Sequence, residues 1–138
     1  MVVRDLLVQF FDAYLVRRDL EASLALLSED VVSLGTGAQE VALSKQELRG
    51  LMVHEFQSIP GGFRYEIRDY RENRYTDGLY GVYCGILAVM PDGDGMELSM
   101  QTRLTMTAAK LDGEWKIIVD DELINLVYPG IEAIDRVL

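Results

Sequence analysis

The stretch MELSMQTRLTMTAAKLDGEWKIIVDDELIN, residues 96–125, decides the fold. Met96, Leu98, Met100, Leu104, Met106 and Ala108 take one parity; Glu97, Ser99, Gln101, Arg103, Thr105 and Thr107 take the other. A period of two sends these sets to opposite faces of a sheet, one apolar and one polar. Lys110-Leu111-Asp112-Gly113 breaks the alternation. Residues 96–109 and 114–125 therefore read as two arms of a hairpin.

Two more strands precede this pair. Phe63 to about Tyr75 places Phe63, Tyr65 and Ile67 on one face, with Arg64, Glu66 and Arg68 on the other. Thr76-Asp77-Gly78 turns the chain into Leu79–Met90, and Pro91-Asp92-Gly93-Asp94-Gly95 turns it out again. The Leu79–Met90 strand is apolar on both parities: Leu79, Tyr83, Leu87 and Val89 against Val82, Cys84, Ile86 and Ala88. A strand apolar on both faces needs two covers. Helices supply one, and a second copy of the chain is the simplest source of the other, so a homodimer packed sheet to sheet is expected.

Before the sheet come three helices. Val3, Leu6, Leu7, Phe10, Phe11 and Tyr14 share an arc of roughly 140°, the signature of an amphipathic helix. Asp19 caps a shorter helix with the stripe Leu20, Leu24 and Leu27, closed by Ser28-Glu29-Asp30. Val31 to Leu34 then reads as a short strand and Gly35-Thr36-Gly37 as a turn. Ser44 with Glu47 forms a capping box that opens a third helix, Lys45 to about Ser58. Its inward stripe is Leu48, Leu51, Met52 and Phe56, with Glu55 almost at the centre. Pro60-Gly61-Gly62 stops it. The fold class is α+β, three N-terminal helices on a curved, mainly antiparallel sheet. Residues 1–127 form one domain, and 128–138 an amphipathic tail in which Ile131, Ile134 and Leu138 share a face and which could continue as a linker.

An apolar fraction of 49% suits a packed globule. The net charge of −10 opposes phosphate backbones and anionic bilayers, so neither nucleic acid nor membrane is an expected partner. Cys84 is the single cysteine, set in an apolar strand, and reads as a buried inert thiol suited to a reducing compartment. Arg4, Asp5 and Asp12 interrupt the apolar N-terminus, no signal peptide is evident, and no run approaches the ~18 apolar residues of a membrane span. A cytoplasmic protein is the expectation.

Motifs along most of the chain resemble the SnoaL-like proteins of the nuclear transport factor 2-like superfamily. They are Phe11-Asp12-Ala13-Tyr14 with Arg18-Asp19-Leu20-Glu21; Leu24 to Val32; Gly35 to Glu40 leading into Ser44-Lys45-Gln46-Glu47; and Thr102 to Thr105 followed by Asp112-Gly113-Glu114-Trp115. The resemblance implies a cone-shaped fold, a pocket between helices and concave sheet, and often a dimer. It implies no single chemistry, because relatives include cyclases, isomerases, dehydratases, association domains and sensory modules. Many relatives carry His-x-His on the last strand, where this chain has Val119 and Asp121.

Within such a cone, isomerase-type chemistry needs a carboxylate base opposite a donor that stabilises an oxyanion. Glu55 is the best-placed carboxylate and Tyr14 the best donor, with Asp30 and Asp120 as weaker acids. Arg103 is a candidate anion clamp, and Tyr65, Tyr83 and Gln101 complete the candidate ligand-binding set with Tyr14 and Glu55. His54, the single histidine, falls roughly 140° from the inward stripe and is expected to face solvent. One histidine and one buried cysteine give no metal site, and no cofactor motif is present. The sequence favours a module that binds a small apolar or anionic ligand or dimerises, such as a sensory domain of a signalling protein. The alternative is a small isomerase, cyclase or dehydratase using Glu55 as base and Tyr14 as donor.

Overall fold

The computed structural model describes residues 2–35, 38–91 and 97–127. The expected turns at Thr36-Gly37 and Asp92–Gly95, and the tail 128–138, lie outside the described residues. In chain order the elements are α1 (Val2–Phe11), a π-helical turn (Asp12–Val16), α2 (Leu20–Ala25), β1 (Leu27–Leu34), β2 (Val41–Ala42), α3 (Lys45–Ser58), β3 (Arg64–Thr76), β4 (Leu79–Pro91), β5 (Glu97–Leu111) and β6 (Glu114–Val127). One six-stranded sheet has the order β2-β1-β6-β5-β4-β3. Every neighbouring pair is antiparallel except β1 and β6, which run parallel.

The α+β class and the helices-on-sheet arrangement are as expected. α3 begins and ends where its signals put it. The Ser44 hydroxyl accepts from the Glu47 amide at 3.1 Å, and Glu47 Oε1 accepts from the Leu43 amide at 2.8 Å. The Ser44 bond satisfies an amide that the first helical turn leaves without a partner, and the Glu47 bond ties back the residue before the cap.

Two boundaries differ from expectation. The first helix does not run to Tyr14 as a regular α-helix; it widens after Phe11, and the Arg17 amide donates to Asp12 O at 2.9 Å, five residues back. The second helix stops at Ala25 instead of Leu27, and the strand expected from Val31 already starts at Leu27. Pairing across the sheet overrides local helical preference there: Leu27 lies opposite Ile117, and the Ile117 amide donates to Leu26 O at 2.9 Å.

The helices cover the even-numbered face of β4 and β5. Val82, Cys84, Ile86 and Ala88 lie opposite Met106, Leu104, Thr102 and Met100, and all but Met100 are fully buried. Phe10, Phe11 and Leu7 of α1, with Leu48 and Met52 of α3, close the core from the other side. A glycine seals one corner. A Cβ on Gly62 would stand 2.2 Å from Val16 O, so only glycine lets β3 enter beneath the π-turn, where the Phe63 amide donates to Leu15 O at 2.9 Å.

Candidate functional site

The π-turn and α3 meet over Glu55. The Tyr14 hydroxyl donates to Glu55 Oε1, and Arg18 Nη2 donates to Oε2 at 2.9 Å. Arg18 occupies a left-handed backbone conformation, φ +50°, which turns its side chain back into the protein. The guanidinium also donates to Tyr14 O at 3.0 Å and Ile59 O at 3.0 Å, and lies 4.3 Å from the Phe56 ring centroid. Only 5% of the Arg18 side chain is exposed, against 38% for Glu55. Arginine has a planar fork suited to holding a carboxylate while stacked on aromatic rings. Both Glu55 oxygens therefore carry bonds from groups on the neighbouring segment, so the expected base and its donor address each other. Sequence reasoning missed Arg18; its position one turn beyond Tyr14, beside the Asp19 cap, was the available signal.

Beside this cluster lies a cavity of about 320 Å³ between α3 and the sheet. Leu48, Leu51 and Met52 line its helical wall; Ser33 and Asp120 line the sheet wall; Glu40 comes from the segment before β2. A smaller hollow of about 140 Å³ adjoins it, sharing Tyr14, Glu40 and Glu55 and extending to Ile86, Ala88, Met100 and Thr102. Glu40 is held close: its carbonyl accepts from the Gly35 amide at 2.7 Å, and a Cβ on Gly35 would stand 2.3 Å from Glu40 Oε2. His54 is exposed, as expected, yet it lies on the cavity's lining, which places it at the mouth.

Asp120 is the unusual member. It is only 7% exposed, and its Oδ1 has no hydrogen-bond partner among the described residues. Burial, and then the neighbouring Asp121 charge, push its carboxyl up to about 7. A one-residue bulge at Ile118 turns it inward: Ala108 faces Ile117, but Thr107 faces Val119 and Met106 faces Asp120. Asp121, exposed, points the other way.

Other expected site residues are scattered. Tyr65 packs inward, but its hydroxyl donates to Asp12 Oδ1 at 2.8 Å; burial, followed by that bond, raises its pKa. Tyr83, Gln101 and Arg103 lie apart from this cavity. Arg103 pairs with Gly85, Gln101 with Leu87 and Tyr83 with Thr105, so all three lie on the face away from the helices. The polar parity of β5 is the outer one, because the helices bury the apolar parity. Arg103 cannot clamp an anion in a cavity on the opposite side of the sheet, and the anionic-ligand expectation loses its residue. Asp30 is exposed. Among the described residues, no group of three or more His, Cys, Asp or Glu is placed to hold a metal ion, and no helix is long and apolar enough to cross a membrane.

The sequence profile of the SnoaL-like domain matches residues 3–119. The chain belongs to the SnoaL-like family. No curated protein matches the sequence. Solved structures with the same fold include the hexachlorocyclohexane dehydrochlorinase LinA-type3 from Novosphingobium barchaimii LL02, at TM-score 0.77 and 12% identity, covering 98% of this chain and 93% of that one. A ketosteroid isomerase-like protein from Erwinia carotovora atroseptica SCRI1043 has TM-score 0.72 and 17% identity, covering 88% and 92%. The association domain of C. elegans CaMKII has TM-score 0.73 and 13% identity, covering 87% and 91%. At these identities the similarity shows a shared nuclear transport factor 2-like fold.

Proposed function

We propose that this SnoaL-like domain binds a small molecule in the cavity beneath α3, with Asp120 as the polar anchor. The observation that carries the reading is the buried, unpartnered Asp120 Oδ1 on the wall of an otherwise largely apolar hollow. A buried acceptor without a partner costs about 1–3 kcal/mol, and a ligand donor placed there removes that cost. The volume falls at the lower end of the ~300–1,000 Å³ of small-molecule sites. The test fills the hollow. Leu51→Trp should abolish thermal stabilisation by small monocyclic compounds that raise the wild-type melting temperature. Identical responses from both proteins would remove the cavity from the argument.

An enzymatic version is favoured by one further feature, an Asp120 carboxyl near neutrality, which suits proton transfer. In that version Asp120 moves the proton in an isomerisation, cyclisation or elimination, and the Tyr14–Arg18–Glu55 cluster holds the wall. Turnover that survives Asp120→Asn would reject this assignment.

Self-association through the outer sheet face forms the second part of the proposal. Tyr83 is 38% exposed there, beside half-buried Leu87 and Val89 on the same parity of β4. The CaMKII association domain shows that this fold occurs in an association domain. Light scattering should give a dimer at micromolar concentration and a monomer for Tyr83→Lys; a monomeric wild type would rule it out.

A further inference from the structure

The charges and hydrogen-bonding groups along the cavity restrict what it can hold. Three carboxyl side chains reach its lining from three different segments: Asp120 from β6, Glu40 from the segment before β2 and Glu55 from α3. No lysine or arginine lines it among the described residues; its single basic group is His54, exposed at the mouth. Arg18 answers one of the three acids, since it is bound to Glu55 from behind. Among the described residues, no cation pairs with Glu40 or Asp120. A carboxylate or phosphate ligand would enter against like charge, which disfavours the anionic class.

The hydrogen-bond inventory points the same way. The described residues supply no donor to Asp120 Oδ1, although Ser33 pairs with Asp120 across the parallel β1–β6 ladder and lines the same hollow. A donor carried by the ligand would satisfy it. Leu48, Leu51 and Met52 give the α3 wall an apolar stretch with room for an apolar body, and the polar residues of that helix on the lining are His54, Glu55 and Ser58. The chain's net charge of −10 raises the local concentration of cations near such a mouth.

We infer that the ligand is a small organic cation, a protonated amine on a compact apolar body, with its ammonium on Asp120 Oδ1 in the field of Glu40. This rests on the small-molecule reading above and adds the chemical class. The ammonium N–H satisfies the orphaned acceptor, and the charge is opposed by two acids that no cation among the described residues answers. The apolar body lies against the α3 wall. Among titratable groups, Asp120 is faced or flanked by Glu40, by Glu55 and His54 of α3, by Tyr14 of the π-turn and by Asp121 on its own strand.

Three ring compounds of matched size test it by calorimetry: cyclohexylamine, cyclohexanone and cyclohexanecarboxylate. At about pH 8 the amine should bind at least about tenfold more tightly than the ketone, with the carboxylate weakest, as expected for a charge-assisted bond against a neutral one. Asp120→Asn should weaken the amine about tenfold while changing the ketone less than about threefold. Glu40→Gln, in an exposed position, should weaken the amine alone. Acidification to about pH 6 should lower amine affinity, because a proton then competes for the same carboxylate. If the ketone binds best and tightens on acidification, Asp120 serves as a protonated donor and the cation inference is overturned while the cavity stands. Preference for the carboxylate overturns it as well. If none of the three binds and Leu51→Trp changes nothing, the small-molecule reading falls with it.

Discussion

Replacing Arg18 by methionine removes the guanidinium while keeping an apolar stem against Phe56 and Phe63. The bond to Ile59 O is exposed, so water replaces it at little cost. Tyr14 O is part-buried and loses its 3.0 Å partner, worth about 1 kcal/mol. The 2.9 Å pair with Glu55 would be worth ~3–5 kcal/mol if fully buried. With 38% of the Glu55 side chain exposed, solvent screening reduces that to about 1–1.5 kcal/mol. Loss of the stacked charge over Phe56 adds roughly 0.5 kcal/mol. The methionine must still sit at positive φ, so no backbone strain is relieved.

The expected destabilisation is therefore about 2.5–3 kcal/mol, well above the ~1 kcal/mol typical of point substitutions. Urea unfolding followed by tryptophan fluorescence measures it, with an unchanged m-value as the check that only the folded state has altered. Glu55→Gln should cost about 1 kcal/mol, because Tyr14 keeps a neutral acceptor. The double variant should be less destabilised than the sum of the two by about 1 kcal/mol. An Arg18→Met protein within ~0.5 kcal/mol of wild type, or strict additivity, would show that Glu55 does not depend on Arg18. Glu55 would then be available again as a base.

Two glycines should respond in opposite senses. Gly62→Ala drives a Cβ to 2.2 Å from the Val16 carbonyl oxygen and should cost about 2–3 kcal/mol; Gly50→Ala, with nothing within 4 Å on α3, should gain ~0.5–1 kcal/mol in the same urea assay. Asp120 should make stability fall as pH rises. Between about pH 4 and pH 7 the folded carboxyl keeps a proton that the unfolded chain has released, giving a slope of at most ~1.4 kcal/mol per pH unit, absent above pH 7 and absent in Asp120→Asn. Parallel wild-type and variant profiles across that window would refute the burial argument. Cys84 is fully buried, and burial pushes its thiol up to about 11, so a disulfide reagent at neutral pH should modify it at the rate of unfolding; prompt reaction in the folded protein would contradict that placement.

The parts of this fold that could be read from the sequence are those whose causes are local. Ser44 and Glu47 start α3 because their side chains bond amides within four residues. The alternation from Met96 to Ala108 marks a strand because each residue's face follows from its neighbour's. Leu27 illustrates the opposite case: its helical stripe looked continuous with Leu20 and Leu24, but a strand ninety residues later captures its backbone. Arg18 escaped notice for a similar reason. Its partners Glu55 and Ile59 are 37 and 41 residues away, and no periodicity links them. Gln101 and Arg103 lie on the outer face because on a one-sided sheet the polar parity of a strand faces solvent, whereas Tyr83 sits in a strand apolar on both parities, whose pattern gives no sign of which face the helices cover.

Asp120 carries this argument to the site itself. Strict alternation from Ile117, which packs in the core opposite Ala108, would send Asp120 outward beside Thr105, as solvated as Asp121 is. One extra residue, Ile118, reverses that assignment and turns the carboxyl under α3. A bulge is set by how β6 must fit β5 on one side and β1 on the other, so its position depends on two separate pairings and not on the residues of β6 alone. The burial, the orphaned oxygen and the near-neutral carboxyl all follow from that single irregularity. The feature least visible in the sequence is thus the one that gives the cavity its chemistry.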